Sequence, residues 1–306
     1  MILHKILTIL VLPYMVTSKS DWCAIEKDVN LCNGTSHTGC SGTGIQPPNP
    51  SECKNNLMVK MTPKLKEKIL YEHNLWRNKL AGGKIKHYPT AAKMLKMHWD
   101  DELAYLAEKH VKMCSKKHDL CIITDKYRYP GQNIAFSKLE HPLDNYEEIV
   151  ADLIEKWFSE HEKISESVVK VIVSHYQHSF FYGHFAIIAR GTNDAVGCGM
   201  MQFTNAFQYP TEPYHYLLTC NYAQTNIKDE ALYDAGATCS RCDAFGSDYE
   251  CDTRNFKYLC DRVFKNKNKK NNEIVVFAAG PSNFHVLKIN LMVFISIGVA
   301  LMLSSL

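Results

Sequence analysis

His184 is the first residue whose type and position suggest chemistry. It belongs to the motif Gly183-His184-Phe185, which precedes two short apolar segments, 195–200 and 216–222. Both segments are rich in β-forming residues and are bounded by Gly, Asn, Asp and Pro, so they predict two strands joined as a hairpin. We expect His184 at the start of the strand before this hairpin, where an imidazole can face a cleft and bind a metal or a proton. A lone histidine at such a position is more often a hydrogen-bonded core residue.

The twelve cysteines are the second group with defined chemistry, and all of them lie between Cys23 and Cys260. An even number of cysteines behind an N-terminal targeting segment predicts six disulfides in an oxidising compartment. The spacing of Cys239 and Cys242 also suits a zinc module, but such modules usually belong to the reducing interior of the cell. The sequence contains neither a His-Glu-x-x-His motif nor a serine nucleophile elbow, which mark two classes of hydrolase.

Amphipathic helices are expected to position these residues. The first begins at Thr62-Pro63, a capping residue followed by proline in the first turn, and stops at Gly82-Gly83. The second opens at Asp100 or Asp101, and its apolar residues share one face.

A third helix is predicted from about residue 143 to residue 161. Asp144 and Glu147 give it a start that resembles a capping box, and its apolar residues again fall on one face. The next apolar segment, 168–173, suits either a short strand or a helical turn, because periodicity does not distinguish the two in so short a run.

The N-terminus predicts secretion. His4 and Lys5 precede the apolar run 6–12, and small residues place the cleavage of a signal peptide near Ser18. The sequon at Asn33 is then a candidate glycosylation site. The formal net charge of +3 over 306 residues, without an arginine-rich patch, argues against nucleic acid as a partner.

The C-terminus predicts attachment to a membrane. Segment 289–306 is apolar and uncharged, and it follows a short spacer and the small residues around Ala278. This order is typical of a glycolipid anchor signal, with Ala278 as the attachment residue and Ser282 or Asn283 as alternatives. A transmembrane helix is the other interpretation.

A series of short motifs, in a fixed order, resembles the CAP superfamily of cysteine-rich secretory proteins, venom antigen five and plant pathogenesis-related proteins. The resemblance covers about residues 21–235, and the cysteines at its start are most similar to the insect antigen-five branch. The motifs are His73-Asn74 with Arg77, His98-Trp99-Asp100-Asp101-Glu102-Leu103-Ala104, Cys114 before His118 and Cys121, Gly131-Gln132-Asn133-Ile134, Trp157-Phe158-Ser159-Glu160, Gly183-His184-Phe185, Val196-Gly197-Cys198-Gly199 and Cys220-Asn221-Tyr222-Ala223.

The resemblance implies a fold and a set of disulfides. The implied fold is α+β, an α–β–α sandwich with a central antiparallel sheet and an open cavity on one face. The pairs expected from the antigen-five branch are Cys23–Cys40, Cys32–Cys121, Cys53–Cys114 and Cys198–Cys220. For the last four cysteines, which allow three connectivities, we expect Cys239–Cys251 and Cys242–Cys260.

The family fold also implies six segments in the chain. They are a signal peptide (1–18), a cysteine-rich N-terminal loop region (19–61), a CAP domain (62–235), a four-cysteine extension (236–262), a linker with the anchor site (263–288) and a hydrophobic C-terminal signal or transmembrane segment (289–306).

The resemblance further implies a cluster in the cavity. Two His and two Glu converge there in the family, and the matching residues are His118, Gln132, Glu160 and His184. Neutral imidazoles with a carboxylate suit Zn²⁺ or a similar ion, so His118, His184 and Glu160 are the expected metal ligands. Gln132 replaces a glutamate, which removes one charge and one possible general base. We therefore expect no required cofactor and at most a weakly bound divalent metal.

Two departures from the family pattern lie near this cavity. Ala186-Ile187-Ile188-Ala189-Arg190 and Gln224-Thr225-Asn226 stand where the family has other, more polar residues, so we expect an apolar cavity rim.

Three functions are compatible with these residues. The first is a non-catalytic extracellular protein that binds a small lipid, a sterol or a partner protein, with the aromatic loop Phe203, Phe207, Tyr209, Tyr214 and Tyr216 as a possible contact surface. The second is a metal-dependent hydrolase that uses His118, Glu160 and His184. The third is a channel-directed secretory protein, which the short four-cysteine extension does not favour. The first is the prediction adopted, with no catalytic residues assigned.

Overall fold

The computed structural model describes residues 20–40, 53–204 and 214–263, together with the backbone of two strands at 274–279 and 284–289. Its helices are α1 (Trp22–Lys27), α2 (Pro63–Ala81), α3 (Asp101–Lys112), α4 (Glu147–Ser159), α5 (Glu166–Ser174) and α6 (Gly183–Ala189). Its strands are β1 (Lys54–Met58), β2 (Ala91–Lys93), β3 (His98–Trp99), β4 (Gly131–Leu139), β5 (Ala195–Thr204), β6 (Tyr214–Tyr222), β7 (Asp234–Ala235), β8 (Tyr249–Cys251), β9 (Cys260–Arg262), β10 (Ile274–Ala279) and β11 (Phe284–Ile289).

A five-stranded sheet in the order β1-β5-β6-β4 organises the fold, with β3 also paired to β5. The hairpin of β5 and β6 is its centre, and it runs in register from Val196 opposite Tyr222 to Thr204 opposite Tyr214. All pairs are antiparallel except the short contact of β3 with β5. The mixed helix and sheet content agrees with the predicted α+β class.

Helices cover both faces of this sheet. Helix α3 lies on one face, so close that a Cβ on Gly197 or Gly199 would meet the helix backbone at Ala104 or Glu108. Helices α2, α4 and α6 cover the other face and bury the larger apolar core, which includes Phe158, Phe185 and other residues of these helices with one face of β5 and β6. The layers therefore form an α–β–α sandwich.

Capping residues explain where the first two helices start. Thr62 accepts a hydrogen bond from Leu65 N and precedes Pro63, while Asp100 accepts hydrogen bonds from two backbone N–H groups of α3. Both starts agree with the sequence prediction, as does the end of α2 at Gly82.

Six disulfides join the twelve cysteines, and they are the pairs that the family resemblance implies. Cys32–Cys121 ties the N-terminal region to the loop before β4, and Cys53–Cys114 ties β1 to the end of α3. The others are Cys23–Cys40, Cys198–Cys220, Cys239–Cys251 and Cys242–Cys260. Because every cysteine is oxidised, the close approach of the Cys239, Cys242 and Cys260 sulfurs offers no thiolate for zinc.

The four-cysteine extension packs on the sandwich through ionic contacts. Lys96 donates to the carboxylates of Asp252 and Asp261 at 2.9 and 3.0 Å, and His98 lies 2.8 Å from Asp261. Burial alone would raise the pKa of Asp261, but the hydrogen bonds from His98 and Lys96 lower it to about 2.

Three sequence predictions differ from the structure, and one open choice is decided. Residues 183–189 form helix α6 instead of the start of a strand, while 168–173 lies within helix α5, the helical one of its two interpretations. The third helix starts at Glu147 without a side-chain cap, so Asp144 and Glu147 do not make the expected capping box. The N-terminal loop region contains α1 and β1, which its lack of periodicity did not predict.

The C-terminal predictions fall mostly outside the described residues. Strands β10 and β11 form a hairpin in the segment predicted as a linker, and Ala278 pairs with His285 in it. Ser282, Asn283 and residues 290–306 lie outside the described part. Among the described residues, no helix has the length and apolar character needed to span a bilayer. The anchor and signal peptide therefore stay predictions, as does glycosylation of the exposed Asn33.

Candidate functional site

An open cavity of about 610 Å³ lies where the start of β4, the start of α6 and the loop before β4 come together. His118 and Gln132 line it from one side of the sheet edge, and Asn133 and His184 line it from the other. The side chains that line it are largely apolar. Leu120, Tyr129 and Phe180 are exposed and form its rim, whereas Ile122 and Ile187 are buried. A largely apolar pocket with a few polar groups is typical of a ligand site.

Glu160 fixes His184 and starts helix α6. One of its carboxylate oxygens accepts from His184 Nδ1 at 2.7 Å, and the other accepts from the backbone N–H groups of His184 and Phe185 at 3.0 and 3.1 Å. Glu160 lies just past the end of α4, so one carboxylate joins two helices. Both of its oxygens are used inside the protein, and Glu160 is not among the residues that line the cavity.

Gln132 holds His118 in the same way. Gln132 Oε1 accepts from Asp119 N at 3.0 Å, and it lies 3.1 Å from His118 Nδ1. Gln132 Nε2 donates to Asp119 Oδ2 at 2.6 Å and to Asn221 Oδ1 at 3.0 Å. The amide must be oriented this way because the Asp119 N–H needs an acceptor and the two oxygens need a donor. A glutamate at position 132 would oppose the Asp119 carboxylate instead.

His118 and His184 therefore leave the same ring nitrogen, Nε2, available for a ligand. Each donates from Nδ1 to a fixed acceptor, so in the neutral ring Nε2 carries the lone pair. No hydrogen bond engages either Nε2 within the described ranges. Burial lowers the pKa of His118, and the nearby His184 lowers it further, although the hydrogen bond to Gln132 opposes both effects. The neutral form of His118 is therefore favoured near neutral pH.

The cluster named from the sequence is thus present as two pairs. His118 with Gln132 forms one, and His184 with Glu160 forms the other. Among the described residues, no cluster of three His, Asp or Glu ligand atoms within 4.8 Å of one another includes these side chains. Glu160 and Gln132 act as supports for the imidazoles, because the oxygens of both side chains already accept hydrogen bonds inside the protein.

A hydrogen-bonded chain supports α6 from the core. His73 Nδ1 donates to Ile69 O, and His73 Nε2 accepts from the Tyr222 hydroxyl at 2.8 Å. Asn133 Nδ2 donates to the Tyr222 hydroxyl at 3.3 Å and to His184 O at 3.2 Å. The backbone at His184 is therefore held from the sheet while its side chain is held by Glu160.

Buried Arg77 holds the other end of α6. It donates to the carbonyl oxygens of Ile188 and Arg190 at 2.6 and 2.8 Å, and also to Leu95 O. Burial lowers the pKa of Arg77 to about 9. Both ends of this short helix are thus fixed by residues far away in sequence.

The predicted apolar surface is in a different place from the observed one. Phe203 and Tyr216 are buried in the core, while Phe207 and Tyr209 lie outside the described residues. Of the run 186–190, only Ile187 lines the cavity, and the other four residues are buried elsewhere.

The exposed apolar side chains at the cavity are Leu120, Tyr129 and Phe180, which the sequence reasoning missed. The adjacent Phe180 and Phe181 in a polar loop were the available signal, because two neighbouring phenylalanines rarely lie exposed without a role.

Comparisons with known proteins agree with this architecture. The model of the cysteine-rich secretory protein family, CAP, matches residues 70–222. An antigen 5 like allergen of Culicoides nubeculosus is 41% identical over 167 residues, 54% of this chain and 74% of its own length. Venom allergen-1 of Aedes albopictus is 33% identical over 217 residues, 71% of this chain and 81% of its own. Venom allergen 5 of Vespula maculifrons is 30% identical over 248 residues, 74% of this chain and 94% of its own.

Solved structures share the fold at low identity. The hookworm platelet inhibitor superposes with a TM-score of 0.51 at 19% identity, over 67% of this chain and 94% of its own. Na-ASP-1 gives a TM-score of 0.51 at 22% identity, over 66% of this chain and 48% of its own.

Proposed function

Because this chain belongs to the CAP family, in its antigen-5 and venom-allergen branch, we propose that it is a non-catalytic extracellular protein that binds a small amphipathic molecule in its cavity. Sterols and fatty acids have the required chemistry, an apolar body with one polar group. The six disulfides and the venom-allergen relatives support the extracellular location.

The observation that carries this proposal is the combination of an exposed apolar rim with two imidazoles in one cavity. Leu120, Tyr129 and Phe180 expose apolar surface at the rim, while His118 and His184 line the same cavity and each keep an unused imidazole nitrogen. An apolar body against the rim would remove this surface from water, at roughly 25 cal/mol for each Å² buried. A hydroxyl or carboxyl group could then hydrogen-bond to the imidazoles.

The donor set does not suit a hydrolase. A catalytic zinc centre usually has three protein ligands and an open position for water. Here two imidazoles are available, and both Glu160 oxygens already accept hydrogen bonds from His184 and Phe185. Glu160 does not line the cavity, so it is not placed to act there as a ligand or a general base.

A lipid-extraction experiment tests the proposal. Protein secreted from insect cells is purified without detergent, its lipids are extracted, and the extract is compared by mass spectrometry with that of Phe180→Ser and Phe181→Ser. Both phenylalanines are exposed, but only Phe180 lines the cavity. We expect a sterol or fatty acid near equimolar amount in the wild type and in Phe181→Ser, with at least a fivefold loss in Phe180→Ser. Extracts without lipid above background, for protein that also fails to take up added sterol or fatty acid, would contradict it.

Divalent metal binding is the second candidate, favoured by the Nε2 atom that each of the two imidazoles leaves unused. His118 and His184 would hold the ion by Nε2, with Glu160 and Gln132 as the outer shell that fixes each ring. Two protein ligands predict weak affinity. Calorimetric titration with ZnCl₂ should show binding in the wild type and in His141→Ala, an exposed histidine away from the cavity, and none in His184→Ala. Equal binding by all three proteins would contradict it.

We also propose that the C-terminal segment attaches the protein to the outer cell surface. The support is the order of small residues, spacer and apolar end in the sequence. Phospholipase treatment should release the full chain from insect cells if Ala278 or its neighbours carry a glycolipid. A chain without its last 28 residues should appear in the medium. A full chain that resists phospholipase would indicate a spanning helix instead.

A further inference from the structure

A row of four lysines begins in the last turn of α3 and continues into the next loop. Residues 109–118 contain Lys109, Lys112, Lys116 and Lys117, two histidines and no acidic residue. We propose that these four residues, the lysine track, bind a sulfated polysaccharide. The inference is independent of the cavity ligand, because none of the four lysines lines the cavity.

The lysine track has no internal counter-charge. In the described ranges, no carboxylate lies within ion-pair distance of these four ammonium groups, whereas Lys64, Lys156 and Lys170 each pair with a glutamate or aspartate. The Nζ atoms of Lys109 and Lys116 lie 5.5 and 3.9 Å from the ring centroids of Tyr105 and Phe136. Four cations without an acidic partner create a positive surface that attracts anions from solution.

The backbone beneath the lysine track is fixed at several points. Cys114 is joined to Cys53, which anchors the loop to β1. The His110 ring bridges the sheet and the loop, with Nδ1 at 2.7 Å from Thr219 Oγ1 and Nε2 at 3.0 Å from Lys117 O. The positions of the four Cα atoms are therefore set before a ligand arrives, which lowers the entropy cost of binding.

A stabilising interaction with the helix dipole accounts for only two of the four lysines. Lys109 and Lys112 lie in the last turn of α3, where cations interact favourably with the helix dipole. Lys116 and Lys117 lie beyond the helix and are exposed. The four lysines are thus spread over the last turn of α3 and the loop that follows it, and such an extended basic segment suits a linear polyanion.

Two features favour a sulfated polysaccharide over a membrane or a nucleic acid. The exposed apolar side chains of the described structure include none from residues 105–117, so nothing in the lysine track would insert into a bilayer. The two rings nearest the lysines already lie beneath ammonium groups, so they are not open for base stacking. Sulfated polysaccharides are abundant linear polyanions outside cells, where the relatives of this protein act.

The test compares two quadruple variants of the full secreted protein with equal net charge. The first is K109Q/K112Q/K116Q/K117Q, and the control is K64Q/K84Q/K156Q/K170Q, which changes exposed lysines elsewhere. Binding of a size-defined heparin octasaccharide is measured by calorimetry at 0.15 M NaCl, with its desulfated form alongside. Thermal unfolding and the mass of the oxidised chain verify that both variants fold with six disulfides.

We expect the wild type and the control to bind the sulfated octasaccharide, and the track variant to bind at least tenfold more weakly. Wild-type affinity should fall steeply as salt rises, because each ion pair releases counterions. If both variants lost affinity for the octasaccharide equally, net charge alone would account for binding and the proposal would be wrong. Absence of wild-type binding, or tighter track-dependent binding to phosphatidylserine vesicles or single-stranded DNA than to the octasaccharide, would also overturn it.

Discussion

His73 and His184 are linked by one hydrogen-bonded chain through Tyr222 and Asn133, yet their two environments differ. Both nitrogens of His73 have protein partners and the ring is fully buried. His184 uses Nδ1 for Glu160, and a third of its side chain remains exposed at the cavity. A histidine with both nitrogens engaged contributes to the structure, whereas a fixed ring with one unused nitrogen is prepared for a ligand.

The same contrast applies to two groups of polar residues, the buried pair Arg77 and His73 and the cavity pair His118 and His184. Arg77 and His73 satisfy buried backbone groups and expose nothing, so changing them should affect folding. His118 and His184 satisfy little of the fold, so changing them should affect binding and leave stability almost intact. The four predictions below test this distinction between structural and ligand-facing residues by the change in the free energy of unfolding.

Replacing Arg77 should have the largest effect. Arg77→Met keeps much of the side-chain volume but leaves the buried carbonyl oxygens of Leu95 and Ile188 without donors, while Arg190 O keeps only the Asn193 N–H. Each such loss costs about 1–3 kcal/mol, so the free energy of unfolding should fall by about 4 kcal/mol. Urea unfolding measures it, with exposed Arg241→Met as the control at below about 1 kcal/mol. A small effect of Arg77→Met would mean that α6 does not depend on this residue.

The second prediction concerns pH. Burial lowers the pKa of His73 from 6.5 to about 4, so the folded state favours the neutral ring. The stability from this group is complete above about pH 6.5 and is lost as the pH falls towards 4, which amounts to about 3 kcal/mol. In His73→Gln, the free energy of unfolding should therefore fall by about 3 kcal/mol less than in the wild type as the pH is lowered from 6.5 towards 4. Parallel curves for the two proteins would show that His73 does not titrate in this way.

Glu160→Ala should have a smaller effect, because it removes one cap from a short helix. The backbone N–H groups of His184 and Phe185 lose their acceptor, and we expect about 1–2 kcal/mol less stability. Neighbouring exposed Glu162→Ala is the control. Ligand binding should weaken in the first variant only, since the His184 ring is then no longer oriented. Unchanged binding would show that the orientation of this ring is unimportant.

His118→Ala should change stability least, by about 0.5 kcal/mol or less, because this residue is exposed and, among the described residues, its side chain hydrogen-bonds to Gln132 alone. The same variant should lose most of its lipid or zinc binding. If it unfolds several kcal/mol more easily, or binds as the wild type does, the separation between structural and ligand-facing histidines fails at this residue.

Local sequence signals were enough for the parts of the fold with local causes. Thr62-Pro63 and Asp100 predicted two helix starts because a cap acts over three residues. The apolar, β-rich composition of two short segments predicted β5 and β6, and motif order predicted the family. The roles of Glu160 and Gln132 as supports required three dimensions, since their partners are 13 to 89 residues away.

Helix α6 shows why the remainder was missed. Phe185 to Ala189 is a short apolar run that suits a strand as well as a helix. The decision comes from Glu160 at one end and Arg77 at the other, neither of which is recognisable from the run itself. The exposed rim was missed for a related reason, because exposure of Leu120 and Phe180 depends on where their loops fold.

Anchoring α6 from outside means that its two ends need no capping side chains of their own. Phe185 to Ala189 are still buried in the core and are constrained by packing, but Ile187 also lines the cavity. Apolar replacements of similar volume at Ile187 should therefore alter ligand preference while the anchored helix is retained.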